Sequence, residues 1–402
     1  MEQMNFIVRE PLLDPKQRVV GYELSWQQVE NNARPTEDEL EALLHLAAQQ
    51  FNDDDGGWLL GDKILFLEMS PAMLSNEMLP LLPAKSTVLT LNVNDFADPA
   101  TLAQVRAVRA EGFGISLRGA DLKTQGKLLS DVSCVEVRFS GSDFATQART
   151  YAALKQASMR MVGRPVTTWQ DFDACAQLGL DAFVGKLHLT PRPGKESTGI
   201  NPAQAVILQL MDMVRKNADL PQIEAVLKRD ATLSYRLLRY INSAGFGLGR
   251  EIQSLRQALA MLGYQPLYRW LSLLLATAST TGYSPVLLET AVIRGRLTEL
   301  LGQAFLPRGE AENLFVAGMF SLLDRLLGVP MAEVLDKVQL SEAVSEALLT
   351  RGGMYGPYLA LAEACELNSS LIGSLAAPLD ISPSDVNKAH LAALAWSQNI
   401  GA

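Results

Sequence analysis

Residues 9–24 read REPLLDPKQRVVGYEL, the pattern of two strands joined by a tight turn. The β-rich runs Phe6–Val8 and Val19–Leu24 lie on either side of turn residues 14–17, DPKQ. This turn is too short for a crossover helix, and a parallel pair needs a connection of about a dozen or more residues. The sequence therefore predicts that the first strand runs antiparallel to the second.

Strands and helices alternate over the rest of the first half. Several short β-rich runs are apolar at nearly every residue, as expected for strands covered on both faces. The clearest helix, Thr36–Phe51, has one apolar stripe and opens with a capping box of Thr36 and Glu39. About eight such units predict a (βα)8 barrel with a largely parallel sheet. The further predicted strands are Ile64–Met69, Val88–Val93, Gly114–Leu117, Val135–Phe139, Met159–Val162 and Ala182–Leu187.

A linker divides the chain near its middle. Residues 190–202 read TPRPGKESTGINP, in which prolines, glycines and small polar residues dominate. This composition predicts a barrel domain over residues 1–192 and a second domain over residues 200–402.

The second domain is predicted to be all-helical. No alternating strand pattern follows Asn201, and Asn201-Pro202 suits the start of a helix. Residues 254–257, SLRQ, predict a second capping box, followed by an apolar stripe and a terminating Gly263. The other predicted helices are Pro221–Arg229, Leu233–Ser243, Pro266–Ala278, Pro285–Leu301, Ala311–Leu327, Ala332–Val338, Ser341–Leu349, Tyr358–Leu367 and Ser382–Ser397.

A barrel of this kind places its chemistry at the C-terminal ends of its strands. Two interpretations of the charged residues at those positions stay open. They form a polar ligand pocket, or they pair with one another and plug the barrel mouth. The candidate residues are Glu23, Glu68, Arg118, Glu136, Arg138, Arg164 and Lys186.

Composition excludes several classes of protein. The 402 residues carry 35 Lys and Arg against 44 Asp and Glu, a net charge of −9, which disfavours nucleic acid and anionic membranes as partners. No apolar stretch approaches the ~20 residues that span a bilayer, and no signal peptide is visible. Three scattered cysteines form neither a disulfide framework nor a metal motif, so we expect a reducing cytoplasm.

The opening strand–turn–strand, Arg9–Asp14 and Arg18–Leu24, resembles the start of EAL domains. Those domains are cyclic di-GMP phosphodiesterases with a (βα)8 barrel whose first strand is antiparallel. The resemblance covers almost all of residues 5–190, and Glu23 stands where the Glu of the EAL signature stands. It implies the barrel fold.

The functional positions of that family are mostly changed. Glu68, before Met-Ser-Pro, replaces a metal-binding Asn, and Arg118-Gly119 replace the Asp-Asp pair that binds metal and water. Two-metal hydrolysis needs carboxylates to hold the ions, so Arg118 puts a positive charge where a cation belongs. The resemblance thus argues against the family's activity. The other departures are Thr90–Val93 for E-L-T-E, Glu136 and Arg138 for the Lys and Asp of K-I-D, and Gly163–Val166 for E-G-V-E.

Residues 228–244, KRDATLSYRLLRYINSA, and 254–263, SLRQALAMLG, resemble an HDOD domain. HDOD domains resemble HD phosphohydrolases in fold but lack their metal-binding histidines and aspartates. Ser321 and Leu322 occupy the place of that His-Asp pair here. The EAL-like and HDOD order resembles bacterial signalling proteins linked to cyclic di-GMP and motility control.

We therefore expect a signalling or scaffold protein without catalytic, metal or cofactor residues, whose partners are other signalling proteins. Arg236, Arg239 and Tyr240 are candidates for the partner surface; the alternative is that both arginines only pair with acids such as Asp230. The oligomeric state stays open, and a homodimer is one option. Two other functions also stay open: a sensor that binds cyclic di-GMP or another nucleotide without turnover, and a residual phosphodiesterase built around Glu23 and Glu68.

Overall fold

The computed structural model describes most of the chain. The predicted division between residues 192 and 200 lies outside the described residues. Among the described residues, no helix is long and apolar enough to cross a membrane. The described ranges are 6–27, 35–52, 60–119, 126–138, 149–150, 152–153, 159–190, 202–242, 252–277, 285–337 and 340–400.

The first half forms a closed eight-stranded barrel, which confirms the predicted fold. The first strand is antiparallel to both of its neighbours, the second and the eighth, and the remaining neighbours are parallel. The strands are β1 (Ile7–Leu13), β2 (Val19–Trp26), β3 (Ile64–Glu68), β4 (Thr87–Asn92), β5 (Gly114–Arg118), β6 (Cys134–Arg138), β7 (Arg160–Arg164) and β8 (Ala182–Val184).

Strand β1 is longer than predicted. It continues through Pro11, which lies opposite Tyr22 of β2, and the pairing of β1 with β8 begins at the next residue, Leu12. Asp14 then closes the turn, since its side chain accepts hydrogen bonds from the backbone N–H groups of Lys16 and Arg18. The extension brings Glu10 directly opposite Glu23.

Three described helices, α1 (Glu37–Phe51), α2 (Pro99–Ala110) and α3 (Trp169–Leu178), belong to the barrel half. The capping box predicted for α1 is present, with Thr36 and Glu39 each satisfying a backbone N–H group of the other. The helices of the second half are α4 (Pro202–Arg215), α5 (Leu220–Leu227), α6 (Ala231–Ile241), α7 (Leu255–Leu262), α8 (Tyr264–Thr277), α9 (Pro285–Gln303), α10 (Arg308–Phe320), α11 (Leu323–Leu327), α12 (Met331–Lys337), α13 (Glu342–Thr350), α14 (Gly356–Leu367), α15 (Ile372–Ala376) and α16 (Pro383–Ile400).

The single helix predicted over Ala311–Leu327 is two helices, and that prediction was wrong. Helix α10 ends at Phe320, and α11 begins at Leu323. Between them the Ser321 hydroxyl donates to the Gly318 carbonyl oxygen at 2.6 Å. The break falls on the two residues that stand in the place of a His-Asp pair.

The two halves share an apolar core and touch through polar groups. Buried residues of the barrel and of the helices belong to one continuous cluster. The Ile7 N–H of β1 donates to the side chain of Asn387 on α16 at 2.8 Å. Tyr22 of β2 donates to Glu289 of α9, and Arg325 of α11 donates to the Leu189 carbonyl oxygen after β8. The helical half therefore packs on the barrel through β1, β2 and the segment after β8.

A candidate functional site at the barrel mouth

The barrel brings five of the seven candidate side chains into one cluster. Each comes from a different strand, at or near the end where parallel strands of such a barrel present their chemistry. Glu10, which the sequence analysis did not single out, joins them from β1 because it lies opposite Glu23. The cluster consists of Glu10, Glu23, Glu68, Arg118, Glu136 and Arg164.

Arg118 lies at the centre of this cluster. Its Nη1 donates to Glu68 at 2.6 Å, and its Nη2 donates to Glu23 at 2.8 Å. Its Nε and Nη2 donate to the two carboxylate oxygens of Glu136 at 2.8 and 3.0 Å, a bidentate contact. The side chain is 18% exposed, whereas Glu23 and Glu136 are only 5% and 6% exposed. One guanidinium thus bridges three carboxylates at once.

Arg164 forms a second bridge across the mouth. Its Nη1 lies 2.6 Å from Glu23 Oε2, and its Nη2 donates to Glu10 at 2.7 Å. Glu136 lies 3.9 Å from the same Nη1. Glu23 is therefore held between two guanidinium groups, which fixes the carboxylate in place.

Burial and neighbouring charge shift the proton affinities of this cluster. Loss of solvation raises the pKa of Glu23 to about 7, an effect that the positive charges of Arg164 and Arg118 oppose. Burial by itself lowers the pKa of Arg118, but the hydrogen bonds and charge of Glu136, followed by the charges of Glu23 and Glu68, raise it above its usual value. Arg118 therefore stays cationic over the whole accessible pH range.

The other two candidates are Lys186 and Arg138. Lys186 lies just after β8, and burial lowers its pKa while Glu10 and Glu366 raise it. It therefore lies near both the barrel mouth and the helical half, and no ion pair of Lys186 is found among the described side chains. Arg138 ends β6, and its side chain lies outside the described residues.

This arrangement supports the interpretation that the charges plug the barrel mouth. The guanidinium groups that would bind a phosphate already bind carboxylates, and each carboxylate that would hold a metal already binds Arg118 or Arg164 through at least one oxygen. Across the described part of the chain, no three His, Cys, Asp or Glu side chains are arranged to hold a metal ion. Any ligand of the mouth has to break ion pairs to bind.

A second buried arginine lies in the helical half. Arg294 of α9 is 5% exposed; it donates to Glu366 at 2.6 Å and to Glu363 at 3.1 Å. It also donates to the Ser321 hydroxyl at 2.7 Å. Burial lowers its pKa, but the charges of the two glutamates raise it above the usual value. A guanidinium therefore sits beside the residues that stand in place of the His-Asp pair.

The candidate partner residues lie on α6. Arg236 and Arg239 are exposed, and in the described structure neither has an ion pair. Asp230 instead caps α6 by accepting from the backbone N–H groups of Thr232 and Leu233, so the structure favours an open surface over the pairing alternative. Tyr240 is half-buried and stacks on Trp270, with a centroid distance of 6.1 Å.

The exposed tyrosine of α6 is Tyr235, at 65% exposure. The sequence analysis named Arg236, Arg239 and Tyr240 but not Tyr235. The helical period could have identified it, because Tyr235 lies two residues from both Leu233 and Leu237 and therefore on the opposite side of the helix.

Residues 200–332 match the family model of the HDOD domain. These residues form an HDOD domain. The order expected from the sequence, an EAL-like barrel followed by an HDOD domain, is confirmed by this match and by the barrel topology with its antiparallel first strand.

Two relatives are similar over nearly the whole chain. Over 98% of its length, the chain is 24% identical to the uncharacterized protein YuxH of Bacillus subtilis, of which it covers 98%. It is also 24% identical, over 98% of its length, to the cyclic di-GMP phosphodiesterase CdgJ of Vibrio cholerae, of which it covers 93%. Among solved structures, the manganese and cyclic di-GMP complex of BlrP1 from Klebsiella pneumoniae matches with a TM-score of 0.38 and 17% identity, over 46% of this chain and 55% of that chain. The chain thus spans about half of the Klebsiella chain.

Proposed function

We propose that this protein is a non-catalytic component of cyclic di-GMP-linked signalling, in which the EAL-like barrel and the HDOD domain serve as binding surfaces. The observation that carries the proposal is the position of Arg118. A largely buried guanidinium bonded to Glu23, Glu68 and Glu136 fills the barrel mouth, where a metal-dependent phosphodiesterase needs cations.

A divalent cation would compete with Arg118 for the carboxylates of the barrel mouth. A divalent cation that entered the mouth would have to displace Arg118 from three carboxylates and leave this cation partly buried without a counterion. Breaking a buried ion pair typically costs ~3–5 kcal/mol, and the incoming metal would also meet like-charge repulsion from Arg164. The carboxylates are therefore much poorer metal ligands than an unoccupied set would be.

The helical half supports the same proposal. Ser321 and Leu322 supply no metal ligand of the His-Asp type, and Arg294 places a positive charge beside them. Both halves thus carry a cationic side chain at the position where the resembled enzyme fold would hold its metal. The proposed role of the HDOD domain is to bind other signalling proteins, with Arg236 and Arg239 on its exposed surface.

A second candidate function is favoured by one comparison. CdgJ is named as a cyclic di-GMP phosphodiesterase and is similar over nearly the whole chain, so residual hydrolysis is the alternative. A sensor that binds the nucleotide without turnover is the third candidate; it requires a phosphate to take Arg118 or Arg164 from their carboxylates.

Incubation of the full chain with cyclic di-GMP and Mg²⁺ or Mn²⁺ separates the three functions. We expect no linear dinucleotide above a protein-free blank and no rise in the melting midpoint with the nucleotide. Product formation that is lost in Glu23→Gln would overturn the proposal in favour of an enzyme. A ligand-dependent rise in the midpoint that Arg118→Ala abolishes, without product, would overturn it in favour of a sensor.

A further inference from the structure

Helix α6 has one buried and one open side. Its buried side packs into the core through Leu233, Leu237 and Ile241. The residues of its open side recur at helical spacing, so they form one continuous strip. This strip consists of Thr232, Tyr235, Arg236 and Arg239.

The positive charge of this region is not neutralised. Lys228 and Arg256 share the carboxylate of Glu224, which leaves a surplus of one positive charge in that trio. Arg229, Arg236 and Arg239 are exposed, and no carboxylate lies within 4.0 Å of them in the described structure. We call the open side of α6 together with Arg229 the basic face.

The surrounding sequence has the same bias. Residues 220–262 contain six Lys and Arg against three Asp and Glu, in a chain whose net charge is −9. An exposed tyrosine beside unpaired arginines is also the composition that favours an interface, because both side chains combine large contact area with directed hydrogen bonds. The basic face therefore fits an acidic protein surface.

Such a surface exists on the same chain. Between Arg34 and Lys63 there are eight Asp and Glu and no Lys or Arg. Helix α1 lies in this segment, with Leu40 and Leu44 buried and with Glu37, Asp38 and Glu41 exposed. Within the described ranges, Glu37 and Glu41 accept hydrogen bonds from the neutral side chains of Ser70 and Asn76 and form no ion pair, so their charges remain available. We call the exposed side of α1 the acidic face.

We propose that the basic face of one copy binds the acidic face of a second copy, so that the protein forms a homodimer held by two equivalent contacts. In a twofold dimer each copy offers both faces to its partner, so the contacts close and no filament grows. The inference rests on the proposed role of α6 as a binding surface and names its partner as the same chain. Complementary charge sets orientation and register, and it makes the association sensitive to salt.

The test is a charge exchange measured by analytical ultracentrifugation of the full chain. We expect a dimer in about 50 mM salt that dissociates towards the 43.8 kDa monomer in about 500 mM salt. Arg236→Glu with Arg239→Glu, and separately Glu37→Lys with Glu41→Lys, place like charges in both contacts. Each double variant is expected to weaken the dimer on the order of 100-fold.

Mixing the two double variants is expected to restore a dimer, because each contact then again joins opposite charges. Lys16→Glu with Lys85→Glu is the matched control, since it changes the net charge as much as the α6 variant does but at exposed barrel positions. Circular dichroism of each variant checks whether it remains folded. The control is expected to stay dimeric.

Four results would overturn the inference: a monomeric wild type in low salt, a dimer unaffected by the α6 exchange, a control that dissociates equally, or a mixture that fails to associate. Binding of a nucleic-acid fragment by the basic face, in place of a second copy, would also overturn it. None of these results bears on turnover of cyclic di-GMP, so failure here and failure of the non-catalytic proposal are distinguishable.

Discussion

Replacement of Arg118 by Met removes the positive charge from the barrel mouth while keeping most of the apolar stem. Four N–O contacts of 2.6 to 3.0 Å with three carboxylates are lost. Glu23 and Glu136 are 5% and 6% exposed, so water cannot take over those contacts fully. Breaking a buried pair from one side costs ~3–5 kcal/mol. Since Arg164 still binds Glu23 at 2.6 Å, we expect the free energy of unfolding to fall by about 3 kcal/mol, the low end of this range.

The assay is urea unfolding followed by circular dichroism, with Arg106→Met as the matched control. Arg106 also grips a carboxylate with two nitrogens, at 2.9 and 3.2 Å from Asp131, but it is 62% exposed. Such a surface pair is worth ~0–1 kcal/mol. The difference between the variants is expected to shrink at acid pH, because the carboxylates freed by Arg118→Met then protonate. Equal costs for the two variants at neutral pH would refute the reasoning and indicate an open, solvated mouth.

Three further predictions concern Arg294, His390 and metal binding at the barrel mouth. Arg294→Met is expected to lower the free energy of unfolding by ~3–5 kcal/mol in the same urea assay. The control Lys216→Met, which removes an exposed ion pair, is expected to lower it by ~0–1 kcal/mol. Equal losses would contradict the buried network. Burial, and after it the charge of Arg9, lowers the pKa of His390 to about 3. The unfolded chain has a His pKa of about 6.5, so between these values the unfolded state binds a proton that the native state does not. The native state is therefore destabilised as pH falls through this range. The free energy of unfolding should therefore drop by about 2 kcal/mol between pH 7 and pH 5 from this residue alone, and His390→Gln should remove that part of the slope in urea melts. Arg118→Ala is expected to gain a Mn²⁺-dependent rise in melting midpoint that wild type lacks, because three carboxylates then lose the guanidinium of Arg118, while Arg164 keeps its contact with Glu23.

The barrel and its antiparallel first strand were predictable because they depend on local signals. The short turn excludes a crossover helix, and apolar strands alternate with amphipathic helices. Glu10 was missed because the predicted apolar run, Phe6–Val8, ends before the charged Arg9 and Glu10, whereas β1 continues to Leu13. Once Pro11 is allowed in this antiparallel strand, the pairing register alone places Glu10 opposite Glu23.

The helical half was harder to predict where distant residues decide the outcome. The apolar pattern runs on through residue 321, so one helix was expected where two form. The partners of Arg294 lie 72, 69 and 27 residues away in sequence, and no local spacing signals them. Tyr240, by contrast, was predictable as partly buried, because it follows Leu237 by three residues on the core side of α6.

Binding of Mn²⁺ to the wild-type protein, measured by the loss of the free-ion electron paramagnetic resonance signal, tests the central claim most directly. We expect no binding at the barrel mouth, because Arg118 already occupies the carboxylates. We also expect Glu23→Gln with Glu68→Gln to leave the free-ion signal unchanged. Stoichiometric binding by the wild type that disappears in that double variant would contradict the account.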